Sequence, residues 1–198
     1  MRARRHDPER RERIIDAALR VVARDGIAGL SHRTAAAEAD VPLGSTTYHF
    51  SSLDELLVAA LRRTNENIAA TVGRSPALAQ PGADVADVLA RLIGDWLTTG
   101  RARVELGYEL YLAALRRPAL RPVAAEWTEQ VVAVLARHTG PADARALVAV
   151  VDGICLQTLL TDTPYDEERT RVILARILTP GGVRPQRGTG SPGSPAGG

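Results

Sequence analysis

Ser31–Phe50 reads SHRTAAAEADVPLGSTTYHF. An Ala-rich segment that Ser31 can cap runs to Asp40, Val41-Pro42 interrupts it, and a second short segment over 43–49 carries Ser45, Thr46, Thr47, Tyr48 and His49. Alanine favours helix, proline stops it, and five small or polar hydrogen-bonding side chains in a row have little reason to gather in a core. Two short helices joined by a tight turn, the second rich in such side chains, is the arrangement of a DNA-reading helix-turn-helix.

The flanking sequence reads as helix on both sides. Asp7-Pro8 is a helix start, Ile15, Leu19 and Val22 form an apolar stripe, and Gly26 supplies a stop. Ser52-Leu53-Asp54-Glu55 reads as a capping box that opens a fourth helix, whose stripe of Leu53, Leu56, Leu57, Ala60 and Leu61 is set to pack on the first. Gly73 to Gly82, with two prolines, interrupts the pattern. Further helices are expected over about 83–98, 102–116, 119–138, 142–161 and 166–178, separated by Gly100, Pro118, Gly140-Pro141 and Pro164. No stretch alternates as a strand does. The expected fold is all-α: an N-terminal helix-turn-helix domain over 1–61, a helical domain over 62–179, and a Pro/Gly/Ser-rich disordered tail over 180–198.

Charge is distributed unevenly. All 25 basic residues are Arg, so every cationic contact is made by a planar, permanently charged fork. The formal net charge is only +2, yet residues 1–24 hold eight Arg against four acids, a net of +4, which leaves −2 for the rest. A basic N-terminus on a near-neutral body suits local phosphate contact; a solvated charged helix face is the alternative. The lone Cys155 excludes an internal disulfide and points to a reducing compartment. The N-terminus is polar, with no apolar core of a signal peptide, and no window approaches ~18 uninterrupted apolar residues, so no membrane span is expected and the cytoplasm is the default location.

Chemistry-bearing motifs are scarce. His6, His32, His49 and His138 show no metal-ligand spacing, no Gly-rich phosphate loop or paired-carboxylate site stands out, and Cys155 lies between Ile154 and Leu156 in an apolar run. No cofactor, no metal and no enzymatic activity are expected.

The segment from about Pro8 to Leu61 resembles the N-terminal DNA-binding domain of TetR-family transcriptional regulators. The resemblance rests on Ile14-Ile15-Asp16-Ala17-Ala18, Gly26 with Leu30-Ser31, Ala36-Ala37 with Val41, Ser45 to Phe50, and Ser51-Ser52-Leu53-Asp54-Glu55-Leu56-Leu57. It implies that helix 43–49 lies in the major groove. Tyr48 and His49 would meet phosphates or base edges, Thr46 and Thr47 a base or a thymine methyl, and Ser45 sits beside them. Gly44 would let the helix approach the backbone closely, Ser31 and Arg33 would hold phosphates or read a base, and Ser52 would meet a phosphate, while Arg2, Arg4 and Arg5 would follow an adjacent groove as an arm. Tyr48 also reads as a helix-packing aromatic; Phe50 is assigned to the core. Two positions depart from the family pattern. Asp40 stands where a turn glycine is usual, at a cost of ~1 kcal/mol, and Leu53 stands where a lysine often meets a phosphate.

For the remainder, the resemblance implies a dimer interface and a small-ligand pocket. The helices near 142–161 and 166–178 are the expected dimer pair, through Leu147, Val148, Val151, Ile154, Leu159, Val172, Ile173 and Ile177; completing a monomer core is the alternative. Trp96, Tyr108, Tyr111 and Trp127, with Glu105, Glu109 and Gln157 as polar neighbours, are the candidate pocket, with ordinary core packing as the alternative. The function implied is a dimeric repressor released from operator DNA by an unidentified small molecule. An effector-independent helix-turn-helix binder and, more remotely, a small helical enzyme are the competing readings.

Overall fold

The computed structural model of the chain describes residues 9–161 and 163–179, without the side chains of 67–69. The Asp7-Pro8 start, the Arg4 and Arg5 arm and the 180–198 tail therefore lie outside the described residues. Among those described there are nine α-helices, one 3-10 turn and no strand. The first four helices are α1 (Arg10–Gly29), α2 (His32–Glu38), α3 (Leu43–His49) and α4 (Leu53–Gly73). After a break come α5 (Val85–Thr98), α6 (Arg101–Ala113), a 3-10 turn at Pro118–Leu120, α7 (Arg121–Leu135), α8 (Pro141–Thr161) and α9 (Glu167–Leu178).

Caps set the N-terminal helices. Gly26 breaks α1 with φ 70° and ψ 174°, a left-handed geometry that glycine adopts without a Cβ penalty, and a last turn follows it. Ser31 forms the full capping box, accepting from Thr34 N at 3.1 Å while Thr34 Oγ1 accepts from Ser31 N at 2.8 Å. At the expected Ser52 box only half the pattern is present. Ser52 Oγ accepts from Glu55 N at 3.1 Å, but the Glu55 carboxylate reaches one residue further back and takes both the amide and the hydroxyl of Ser51.

The turn between α2 and α3 is a Schellman motif. Val41 N donates to Ala36 O at 3.0 Å and Asp40 N to Ala37 O at 3.2 Å, which requires a left-handed residue at position 40. Asp40 has φ 52°, the one positive-φ non-glycine among the described residues. Arg20 and Arg24 of α1 both grip Glu38 at the end of α2, at 2.7 and 3.0 Å, and their guanidiniums hold its carboxyl below the usual range. Arg63 of α4 in turn reaches Asp16 at 2.9 Å and Glu12 on α1.

Two apolar clusters form the interior. The first gathers Ile14, Val21, Phe50, Leu56, Leu57 and Leu61, all fully buried, as the apolar stripes of α1 and α4 require. It also takes in Leu110, Ala114, Leu120, Val123 and Ala124. The second gathers Val72, Leu89, Ile93, Leu135, Leu147 and Leu174. Helices α4, α6 and α7 thus contribute to both clusters, and residue 61, where the sequence suggested a domain boundary, falls inside α4.

Helix α8 carries apolar residues on both its inner and its outer side. Its mean hydropathy over 18 residues is 1.5, and by length and composition it is apolar enough to cross a membrane. It also carries Asp143, Arg145 and Asp152, and it packs against α5, α7 and α9. Leu147 and Val148, expected at a dimer surface, are buried inside the protomer, and Val151 lines an internal cavity. Ile154, Leu159, Val172, Ile173 and Ile177 remain only half-buried, and Leu160 is 81% exposed.

Because Asp40 adopts a conformation that costs an L-residue with a Cβ roughly 1 kcal/mol, Asp40→Gly should raise the free energy of unfolding by ~0.5–1 kcal/mol. Urea unfolding of the two proteins, with equal m-values, measures the difference.

Candidate functional site: an exposed reading helix and an aromatic cavity

Helix α3 turns one face inward and one outward. Phe50 is fully buried, with the Arg11 guanidinium 5.2 Å from its ring centroid. Thr46 is fully buried as well, and its hydroxyl donates to Leu43 O at 2.8 Å and lies 3.4 Å from His32 O. Thr46 therefore ties α3 to the start of α2 and does not reach outward, which corrects its assignment to DNA. Tyr48 is 82% exposed and its ring meets His49 edge-on at 5.1 Å, so a packing role for this tyrosine has no partner in the core.

The rest of the outer face is small. Thr47 and Gly44 are exposed, Ser45 and His49 are half-buried, and the space beside Gly44 is open. Leu43, at the start of α3, is 45% exposed, a position the sequence reading passed over because leucine reads as core. Arg33 on α2 is exposed, whereas the Ser31 and Ser52 oxygens are already acceptors in their caps. A leucine in place of lysine at position 53 is explained by packing: Leu53 is half-buried against the first cluster, and Asp54 is held by Arg117 at 2.5 Å.

Between α4, α5, α6, α7 and α8 lies a cavity of about 640 Å³. Trp96, Tyr108, Tyr111 and Trp127 all line it, so the aromatic set expected from the sequence does converge. Gln157 does not: it is exposed, on the outer face of α8. The acid that lines the cavity is Asp152, one and a half turns earlier, which accepts a hydrogen bond from Tyr108 Oη at 2.9 Å. A single acid inside the apolar run Leu147–Cys155 was the available signal. Glu105 is exposed and paired with Arg101, so it too is outside.

Burial governs the chemistry of this cavity. It pushes the Asp152 carboxyl above its ordinary range, opposed by the Tyr108 hydrogen bond, and it pushes the Tyr108 phenol up as well. It also raises the Cys155 thiol to about 11, which leaves that cysteine protonated and unreactive at neutral pH. What the cavity offers is flat apolar walls and one acceptor that gains from a positive partner.

The neighbouring residue on α6 points the other way. Glu109, one position after Tyr108, accepts a hydrogen bond from the Ile27 backbone amide at 2.7 Å, immediately after the Gly26 break in α1. A Cβ on Gly26 would sit 3.3 Å from the same carboxylate oxygen. Cavity and N-terminal helices are thus joined through consecutive side chains. A second tie comes from α4, whose buried Asn65 lines the cavity and donates to Val123 O at 3.3 Å.

Asp152 ionises less readily in the folded chain than in the unfolded one, so above its raised pKa the native carboxylate costs stability. Protonation relieves that cost as pH falls toward the unfolded value. Asp152→Asn should therefore raise Tm at pH 8, and the gain should shrink steadily toward pH 4. Thermal unfolding across that range, without ligand, checks both sign and trend.

The family model for the tetracyclin repressor-like C-terminal domain matches residues 80–180. The nicotine-responsive transcriptional repressor HdnoR of Paenarthrobacter nicotinovorans is 30% identical over 166 residues, covering 75% of this chain and 83% of that one. Among solved structures, the multidrug binding protein EbrR in complex with ethidium is 68% identical with a TM-score of 0.82, covering 86% of this chain and 99% of that one. A TetR-family member of Streptomyces coelicolor A3, SCO1917, is 69% identical with a TM-score of 0.79, covering 87% and 99%. Family model, repressor relative and near-full-length structural match agree with the fold and with the exposed α3: this chain is a member of the TetR family of transcriptional regulators.

Proposed function

We propose that this regulator is a cytoplasmic homodimer that represses transcription and leaves its operator when an aromatic cation enters the cavity. The observation that carries the reading is the pairing of Asp152 with four aromatic walls, one residue removed from a hydrogen bond to α1. EbrR, which is so similar to this chain, is described in complexes with ethidium, and also with proflavin and malachite green. All three are ring systems that carry positive charge. In a cavity of this size, stacking on tryptophan and tyrosine and a half-buried carboxylate suit such molecules.

On the DNA side, Arg33, Gly44, Ser45, Thr47, Tyr48 and His49 form the reading surface, with Ser31 and Ser52 at its margins and Arg4 and Arg5 preceding it. Thr46 holds the helix in place from beneath. Apolar Leu43 suits contact with a thymine methyl. The half-buried apolar face of α8 and α9 is the proposed dimer surface, and a two-fold axis there would present two α3 helices to a pseudo-palindrome.

Release requires that the ligand favour one arrangement over another. A cation that takes Asp152 from Tyr108 frees that side chain to move. Because Glu109 follows directly on α6, the motion strains its bond to Ile27 N and shifts α1. The effector-independent reading requires a filled interior; the open aromatic cavity favours the ligand-responsive one.

Four variants test this reading with ethidium and a DNA site selected by the protein from a random pool. Tyr48→Ala should lose specific DNA binding and keep its oligomeric mass in light scattering; unchanged affinity refutes the α3 assignment. Asp152→Asn should weaken ethidium binding by roughly 10–100-fold, the consequence of removing one member of a buried charge pair. Glu109→Ala should bind ethidium and DNA nearly as before, yet lose most of the ligand-induced release, and Glu109→Gln, which keeps a carbonyl acceptor for Ile27 N, should restore it.

A further inference from the structure

The cavity is electrically two-ended. Asp152 lines it from a half-buried position, while Arg74, at the C-cap of α4, and Arg103, in the first turn of α6, line it from exposed positions. Several arginines of this half of the chain are matched to acids: Arg91 to Asp87, Arg101 to Glu105, Arg117 to Asp54, Arg145 to Glu129 and Arg171 to Glu168. Arg74 and Arg103 have no acidic partner among the described residues. Other unmatched arginines, such as Arg137 and Arg176, are exposed elsewhere and do not line the cavity. The position of Arg103 also runs against helix electrostatics. The first turn of α6 contains no acid and its N-cap, Gly100, supplies no side-chain bond, so a cation sits at the positive end of the helix.

A purely cationic ligand gains from the Asp152 end of such a cavity and is repelled by its mouth. The reverse holds for an anion. We infer that the cognate effector is an amphoteric polycyclic aromatic, with a cationic nitrogen toward Asp152 and a carboxylate or comparable anion toward Arg74 and Arg103. This rests on the reading of the cavity as a site for aromatic cations, and it adds the second charge. The spacing suits the class. Five residues separate Arg103 from Tyr108, a rise of ~7.5 Å along α6, and the Tyr108 hydroxyl is 2.9 Å from Asp152. That span is about the length of a three-ring aromatic system. Two forked guanidiniums at the mouth offer the bidentate geometry a carboxylate takes.

A matched pair of dyes isolates the second charge. Rhodamine 123 is a xanthene cation with its carboxyl blocked as the methyl ester, and rhodamine 110 is the same ring system with the carboxylate free. Fluorescence titration of the full-length protein should show rhodamine 110 binding about five- to tenfold tighter than rhodamine 123, the effect of two part-exposed ion pairs. The difference should narrow as salt is raised. In the Arg74→Gln/Arg103→Gln protein, whose helical content and Tm serve as the folding control, the preference should vanish while rhodamine 123 binds as well or better. Ethidium is the reference ligand. If the unchanged protein does not bind ethidium, the reading of the cavity itself fails and this inference falls with it. If ethidium binds but rhodamine 110 is no tighter than rhodamine 123, including binding of neither, the second charge alone is overturned. Persistence of the preference in the double variant overturns it too.

Discussion

Two consecutive side chains on α6, Tyr108 and Glu109, hold the structure's two ends together. Neighbouring residues on a helix diverge by about 100°, so Tyr108 reaches Asp152 on α8 while Glu109 reaches the amide of Ile27 on α1. Neither contact is strong by itself, since a net hydrogen bond contributes about 1 kcal/mol, somewhat more with a charged acceptor. Their consequence is geometric. A rotation of α6 that moves one side chain moves the other, and the Gly26 break gives α1 a place to respond.

That linkage matters because the interior is not divided at the end of the reading domain. Leu110 and Ala114 of α6 and Val123 and Ala124 of α7 are packed with α1 and α4, whereas Tyr108, Val132 and Leu135 belong with the second cluster. Packed cores respond to a displaced helix by shifting between arrangements, because close packing leaves little slack. Several features give up stability at the places where the chain turns or binds. Asp40 occupies a left-handed turn, Asp152 is half-buried without a cation, and Arg103 opposes the dipole of its own helix. The first is a local cost of the turn. The other two lie on the cavity, and a ligand of matching charge would relieve them.

Much of this was legible in the sequence, and the exceptions have physical causes. Helix types, the Ser31 cap, the left-handed Asp40 and the buried Phe50 follow from local rules about caps, turns and apolar stripes. Thr46 was misread because a seven-residue helix has too few positions to define its inner face, and a threonine can bury its methyl while its hydroxyl bonds a carbonyl one turn back. The choice of Gln157 over Asp152 failed on angle: five residues place the two about 140° apart around α8, and the cavity lies on the Asp152 side of that helix. The role of Glu109 depends on a contact across 82 residues, which no local pattern encodes. Residues 110–124 completing the first cluster were hidden for the same reason.

The dual character of α8 is the last constraint to be reconciled. One side of this helix supplies Val148, Val151, Asp152 and Cys155 to the cavity, and the other leaves Ile154, Leu160 and neighbours on α9 uncovered. An apolar helix of this length seeks lipid or protein, and an acid set in its middle, hydrogen-bonded to a tyrosine of the same chain, argues for protein. If a second copy covers that outer side, then the helix that senses the ligand is the helix that fixes the two-fold axis. The dimer surface then acts as a stationary reference. Displacement of α6 against a clamped α8 is carried to α1, and the distance between two α3 helices changes without any change in how the copies are joined.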